Sequence, residues 1–312
     1  MELGSFSFYA NPRVIFQVLS SGYVFFSLDY SGQELRTSAA VSGDPTMVTS
    51  FVCDNTILGP DGKSYVNPES DLHTMSAAKC IRPDLFQDQP LYLWRSIADK
   101  SKTRKQAKPL NFGCIYLMTP SAASENFSVP LPTAELWIKN HRSTYKRYYE
   151  WAEEYGSLSS TNGYAVCPFT GAIRWVLEDN SKGYGDGSHR SAVNFAIQGA
   201  CSQMLKVALA KLNPVVKEYG GNIINVVHDE INFRMPGECW IDTSVTPINH
   251  KGIIVDSSGK PCSPKFKWSE STDCKAKRLK SIMEDVETEF FQRLNSPIKG
   301  LVDYNVGPYW VH

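Results

Sequence analysis

The chain has 312 residues, enough to bury a sizeable core as two domains or as one large domain with insertions. Its 42% hydrophobic and 21% charged residues are those of an ordinary globular protein, and 32 Lys plus Arg balance 32 Asp plus Glu, so net charge gives no sign of a nucleic-acid partner and only local basic clusters (95–108, 139–147, 265–280) can speak for one. The 8 cysteines lack C-x-x-C spacing and no signal peptide precedes them, which points to reduced thiols in a cytoplasm, and no apolar run is long enough to cross a membrane.

Residues 1–21 carry no strong period and read as an irregular lead-in. The run Tyr-Val-Phe-Phe-Ser-Leu-Asp-Tyr at 23–30 predicts a buried strand that delivers Asp29 at its far end. A helix with Glu34, Leu35, Ala39 and Ala40 follows, ending before Gly43. A carboxylate at a strand end with another five residues on suits a metal ion, although taken alone such a pair is more often a cap or a salt bridge. The turn-rich segment 54–70 predicts a surface loop or small hairpin. Asp71 then caps a helix, with His73 near its start, where an imidazole can face a phosphate or serve a structural role.

A helix from about Gln89 runs toward Lys100 and leads into the basic stretch 101–116. There Arg104, Lys108 and Phe112 recur every fourth residue, so on a helix they share one face over about 12 Å. A guanidinium and an ammonium suit phosphate oxygens, and a ring one turn on suits a sugar or base. That face can hold a nucleoside triphosphate lengthwise; a solvated basic helix with one core aromatic fits the spacing as well. Pro109 predicts a bend or tightened turn beside Lys108.

Residues 132–155 predict a helix, and 161–176 a short hairpin around Gly163 and Gly171. The next predicted helix, 188–212, carries Arg190, Asn194 and Gln198 at four-residue spacing, a face suited to nucleic-acid sugars, phosphates and base edges, or a solvent-facing polar stripe. A second buried strand pattern at 222–233 is interrupted by His228, Asp229 and Glu230, which predicts a tight turn with Asp229 at its tip. Burying two adjacent carboxylates without a cation is costly, so a divalent ion is expected. Residues 236–273 read as an insertion whose Cys239, His250, Cys262 and neighbouring Cys274 match no zinc pattern. A helix over 275–294, a strand over 300–306 and an aromatic tail complete the chain.

Asp29 and Asp229, on separate strand ends, can hold two Mg2+ ions about 4 Å apart, an arrangement that activates an attacking oxygen and steadies a leaving phosphate. With Arg104 and Lys108 meeting the triphosphate's charge, the pieces describe phosphoryl transfer by positioning and electrostatics.

These residues carry a resemblance. Asp29-Tyr-Ser-Gly-Gln-Glu-Leu-Arg36 is similar to the first palm motif of the family A DNA polymerases; Arg104 to Lys108, Phe112, Gly113 and Tyr116 are similar to its fingers-helix motif; and Val227-His-Asp-Glu230 is similar to its third motif. Asp71-Leu-His73, the Arg190, Asn194 and Gln198 helix and terminal His312 match more weakly. The resemblance runs from about Pro12 to His312, apart from the loop insertions, and implies an α+β fold: a palm of antiparallel sheet with helices, plus largely helical fingers, without a thumb or exonuclease domain. It divides the chain into 1–70 (palm, first metal motif), 71–160 (fingers) and 161–312 (palm, His-Asp-Glu motif and the insertion).

The resemblance further implies that Asp29 and Asp229 bind two Mg2+ ions with Glu230 in support. Arg104, Lys108 and His73 would hold the dNTP, and Lys108 would donate a proton to pyrophosphate. Phe112 would stack on the sugar, Tyr116 would close the templating pocket, Glu34 would block a ribose 2′-hydroxyl, and Arg190, Asn194, Gln198 and His228 would touch primer-template DNA. Gly32 stands where the family has glutamine, which leaves that DNA contact absent or moved to Gln33, and Pro109 and Leu117 also depart from the fingers pattern. Only 28 residues precede Asp29, where the family places a thumb and often a proofreading exonuclease. A split phage-type enzyme, with a separate polypeptide supplying the thumb and exonuclease, is therefore expected, a fragment being the alternative. A single-subunit RNA polymerase shares the aspartates but is opposed by Glu34 and Glu230. A non-catalytic DNA-binding or assembly subunit is opposed by the intact carboxylates.

Overall fold

The computed structural model describes residues 22–176, 187–242 and 265–308. The predicted lead-in, His250, Cys262 and His312 lie outside the described residues. In chain order the first half holds β1 (Tyr23–Tyr30), α1 (Gln33–Ser42), α2 (Pro45–Val52), β2 (Thr56–Leu58), β3 (Ser64–Val66), α3 (Leu72–Ser76), α4 (Trp94–Lys100), α5 (Thr103–Ile115), α6 (Pro120–Phe127), α7 (Leu131–Thr144) and α8 (Lys146–Asn162). The second half holds β4 (Tyr164–Val166), β5 (Ile173–Trp175), α9 (Gly187–Asn194), α10 (Ala200–Glu218), β6 (Asn222–Val227), β7 (Glu230–Pro236), β8 (Cys239–Ile241), β9 (Phe266–Trp268), α11 (Glu270–Gln292) and β10 (Val302–Gly307). This is the α+β class expected.

The chain divides into two compact units. The first comprises Met1–Ser31, Leu205–Val286 and Gly300–His312; the second comprises Gly32–Met204 and Glu287–Lys299.

The first unit is built on one antiparallel sheet in the order β10-β1-β7-β6. Side chains alternate across a strand, so the register sorts them onto two faces. Phe26 lies opposite Phe233 and Val306, and Leu28 opposite Ile231 and Tyr304; Val24, Phe26, Leu28, Ile231, Phe233 and Met235 are all buried. Each such side chain contributes roughly 1.5–3 kcal/mol on burial. The Tyr30 hydroxyl donates to the Met283 carbonyl, which ties α11 to this apolar face. A one-residue slip of β1 would exchange its two faces, carrying Asp29 onto the side of Phe26 and Leu28 and those two onto the side of Asp29, so the apolar face fixes where the acids stand.

The second unit is mostly helical, with the hairpins β2–β3 and β4–β5 at the predicted places. The helix predicted over 132–155 is two helices that break at Tyr145. The cause lies far off in sequence: one oxygen of the buried Asp44 carboxylate accepts from the Met47 N–H at the start of α2, and the other from the N–H groups of Arg147 and Tyr148 at the start of α8. One side chain thus satisfies orphan donors of two helices. The helix predicted over 188–212 is α9 and α10 joined by a π-helical turn, Phe195–Gly199. That wider turn opens the helical repeat, so four-residue spacing no longer guarantees Asn194 and Gln198 a common face.

Helix α5 runs without interruption through Pro109, where a bend or tightened turn was predicted. Pro109 is exposed, so water can reach the carbonyl it leaves without a helical donor. The helix ends with Leu117 at φ 56°, its N–H bonded to the Cys114 carbonyl and that of Met118 to the Gly113 carbonyl. This left-handed closing position favours glycine, and leucine there carries strain. Leu117→Gly should therefore raise stability by about 0.5–1 kcal/mol, offset in part by the freer unfolded chain. Chemical denaturation of the two proteins checks this, and a destabilised variant would show that the leucine side chain contributes more than its backbone costs.

Candidate active site

At one end of the sheet in the first unit the register places acids side by side. Asp29 on β1 pairs with Glu230 on β7 and with Asp303 on β10. Asp229 sits in the two-residue turn between β6 and β7, after His228, which is exposed and holds φ 55°. This is the tight turn predicted from the apolar run that breaks into His-Asp-Glu. Asp303 was not foreseen: its alternation within a predicted strand was visible, but which strand it would oppose was not.

The electrostatic result is a carboxylic acid that holds its proton. Burial first, then the charges of Asp229 and Glu230, a hydrogen bond to the Asp229 side chain and the charge of Asp303 raise Asp29 from 3.8 to about 7. Oxygen-only donors of this kind fit Mg2+. Among the described residues no three His, Cys, Asp or Glu side chains close on one point as a ready-made cage. Mg2+ does not require one, since it ordinarily takes one or two carboxylates and completes its shell with water and phosphate oxygens.

In the second unit, the backbone enters α1 through Gly32, whose φ of 64° favours glycine. Glu34, in the first turn of α1, lies against the buried hydroxyl of Tyr116 together with Gln198, though neither meets it in good hydrogen-bonding geometry. Burial and the Glu34 carboxylate push that phenol upward. Arg190 and Gln198 are exposed, whereas Asn194 keeps a buried side-chain oxygen without a partner.

The cationic face of α5 is backed by a residue read from sequence only as a helix cap. Asp71 does cap α3, accepting from the His73 N–H, and Thr74 donates to it as well. It also receives the Arg104 Nε at 2.6 Å and the Arg95 Nη1 at 3.0 Å on the same oxygen, Oδ2. Burial works against that charge, but the bonds from Arg104 and Thr74 hold the carboxyl below its ordinary value. Lys108 is exposed. The His73 and Phe112 rings lie 6.3 Å apart, and burial followed by the charges of Arg104, Lys108 and Arg95, against the pull of Asp71, lowers His73 to about 4. His73 is therefore neutral at pH 7. Arg104, Lys108, Phe112 and His73 thus form one group, joined by Arg95 and Asp71.

The model of DNA polymerase family A matches residues 8–246. The chain is 27% identical over 223 residues to the thermostable DNA polymerase I of Thermus aquaticus, covering 71% of this chain and 24% of that protein. It is 28% identical over 224 residues to DNA polymerase I of Deinococcus radiodurans (70% and 20% covered), and 27% identical over 222 residues to the DNA polymerase of Mycobacterium phage D29 (70% and 30%). The chain thus spans about a quarter of the length of these relatives. Among solved structures it shares its fold with the polymerase domain of Pol1 from M. smegmatis, in complex with DNA primer-template and dNTP, at a TM-score of 0.64 and 19% identity, covering 96% of this chain and 42% of that one.

The sign of the Asp29 shift gives a test without any metal. A carboxyl raised above its unfolded value contributes stability that is complete below pH 3.8 and is lost as pH rises through about 7. Asp29→Asn, which keeps a hydrogen-bond donor toward Asp229 and cannot ionise, should melt several degrees above the metal-free wild type at pH 8 and converge with it near pH 4. A variant that melts lower at pH 8 would contradict the crowding of acids at Asp29.

Proposed function

Because the chain belongs to DNA polymerase family A, we propose that it is the polymerase portion of an enzyme that carries out template-directed DNA synthesis, transferring a nucleotide from dNTP to a primer 3′-hydroxyl. The observation that carries this reading is the rung of Asp303, Asp29 and Glu230 with Asp229 beside it. So many acids at one sheet end are costly in any role that does not supply a cation.

In this reading Asp29 and Asp229 hold Mg2+, with Glu230 supporting them. Two such ions, when bound, activate the 3′-hydroxyl and neutralise charge on the departing pyrophosphate. Arg104 binds phosphate oxygens through the part of its guanidinium that Asp71 leaves open, Lys108 binds them as a point charge and protonates the pyrophosphate, and His73 adds a hydrogen bond. Phe112 stacks on the sugar and Tyr116 closes the templating pocket. Glu34 excludes a ribose 2′-hydroxyl; its place against Tyr116 supports that role, since one residue then touches both sugar selection and pocket closure. Arg190, Asn194, Gln198 and His228 contact primer-template. The sheet-based unit corresponds to the palm and the α3 to α8 region to the fingers. In chemical terms each unit carries one half of what nucleotidyl transfer requires, acids for metal in one and cations for phosphate in the other.

Primer extension tests this. The wild type should extend a primed template in the presence of Mg2+, and Asp229→Asn should lower the rate on the order of a thousandfold, several kcal/mol of lost charge stabilisation, while binding DNA with near-normal affinity. Equal extension by the variant, or a wild type that binds primer-template yet extends nothing with Mg2+ or Mn2+, would refute the assignment. Glu34→Ala should raise ribonucleotide incorporation relative to deoxyribonucleotide by at least about tenfold. An unchanged ratio would remove Glu34 from sugar selection.

A further inference from the structure

A buried chain of hydrogen bonds runs through the second unit and ends at His73. On α5, between Lys108 and Phe112 in sequence, Asn111 is wholly buried. Its side-chain nitrogen lies 2.9 Å from His73 Nδ1 and 3.4 Å from the Leu72 carbonyl. Its side-chain oxygen lies 3.2 Å from Nε2 of His141 on α7, and His141 Nδ1 lies 2.9 Å from the Tyr149 hydroxyl on α8. His141 is also buried, 1% exposed.

These contacts permit one arrangement of protons. The Leu72 carbonyl can only accept, so the amide NH2 faces it, and the same NH2 donates to His73 Nδ1. Flipping the amide would set two acceptor oxygens against each other at Leu72. Asn111 Oδ1 must then receive the His141 Nε2–H, which leaves His141 Nδ1 to accept from Tyr149. His141 stays neutral because burial, and then the charge of Arg142, lowers it to about 3. A neutral His73 that accepts at Nδ1 carries its proton on Nε2. That nitrogen has no hydrogen-bond partner among the described residues and is not among the buried unsatisfied atoms, so it reaches solvent.

We propose that Asn111 and His141 are positioning residues that hold His73 as its Nε2–H tautomer, so that it offers a neutral N–H to a phosphate oxygen of the bound nucleoside triphosphate. The inference rests on the triphosphate reading of α5. A neutral donor has a specific use here: the groups around His73 are Asp71 and the cations Arg95, Arg104 and Lys108, and a further positive charge would repel those cations before any phosphate arrived. The N–H adds a hydrogen bond to the anion without adding that repulsion.

Histidine-labelled protein read by long-range nitrogen–proton correlation NMR reports the tautomer directly, with His73 assigned by its loss in His73→Gln. The unaltered chain should show His73 as the Nε2–H form near neutral pH, and tripolyphosphate should shift its Nε2 resonance. Asn111→Asp, which presents an acceptor to Nδ1, should move the proton to Nδ1 and weaken tripolyphosphate binding about tenfold, the loss of one hydrogen bond to a charged group. A wild-type His73 protonated at Nδ1 overturns the relay whether or not the chain binds phosphate. The correct tautomer with no response to tripolyphosphate overturns the triphosphate reading, and the proposal with it. The wild-type measurement stands even if Asn111→Asp misfolds.

Discussion

The sheet in the first unit places Asp303, Asp29 and Glu230 next to one another on three adjacent strands, and the nucleotidyl-transfer reading depends on that repulsive rung. Like charges opposite one another destabilise a sheet. The other face holds the rung in place: Phe26, Leu28, Ile231 and Phe233 are buried there, and a one-residue shift of β1 would take Phe26 and Leu28 off that face. The protein responds by keeping a proton on Asp29, shared with Asp229, a state that a divalent cation would replace.

The second unit treats charge in the opposite way. Its cations are oriented before any ligand arrives, because Asp71 takes bonds from Arg95 and Arg104 on one oxygen. A guanidinium held on one edge loses less freedom when its remaining N–H groups meet a phosphate. The same unit keeps His73 neutral amid three positive side chains and fixes its hydrogen-bonding direction from behind. Both devices place the supporting residue behind the one that would touch the ligand.

Much of this was legible in the sequence because it is local. The apolar runs that stop at Asp29 and at His228-Asp229-Glu230 predict strands ending in acids, and the spacing of Arg104, Lys108 and Phe112 predicts one helical face. What was not legible depends on partners distant in the chain. Asp303 gains meaning only from the strand it opposes, and the break at Tyr145 is set by Asp44. Asp71 reads as a cap because Arg95 and Arg104 return to it only in the folded unit. The π-helical turn at Phe195–Gly199 defeats spacing arguments for Asn194 and Gln198, since those assume an unbroken helical repeat.

The central claim is that the acid rung exchanges a proton for a divalent ion. Calorimetric titration of Mg2+ at pH 7, in buffers of different ionisation enthalpy, counts protons released on binding. The account predicts release of a substantial fraction of a proton per chain from wild type, with none, and weaker binding, from Asp29→Asn. Wild-type binding without proton release, or equal binding by the variant, would contradict it.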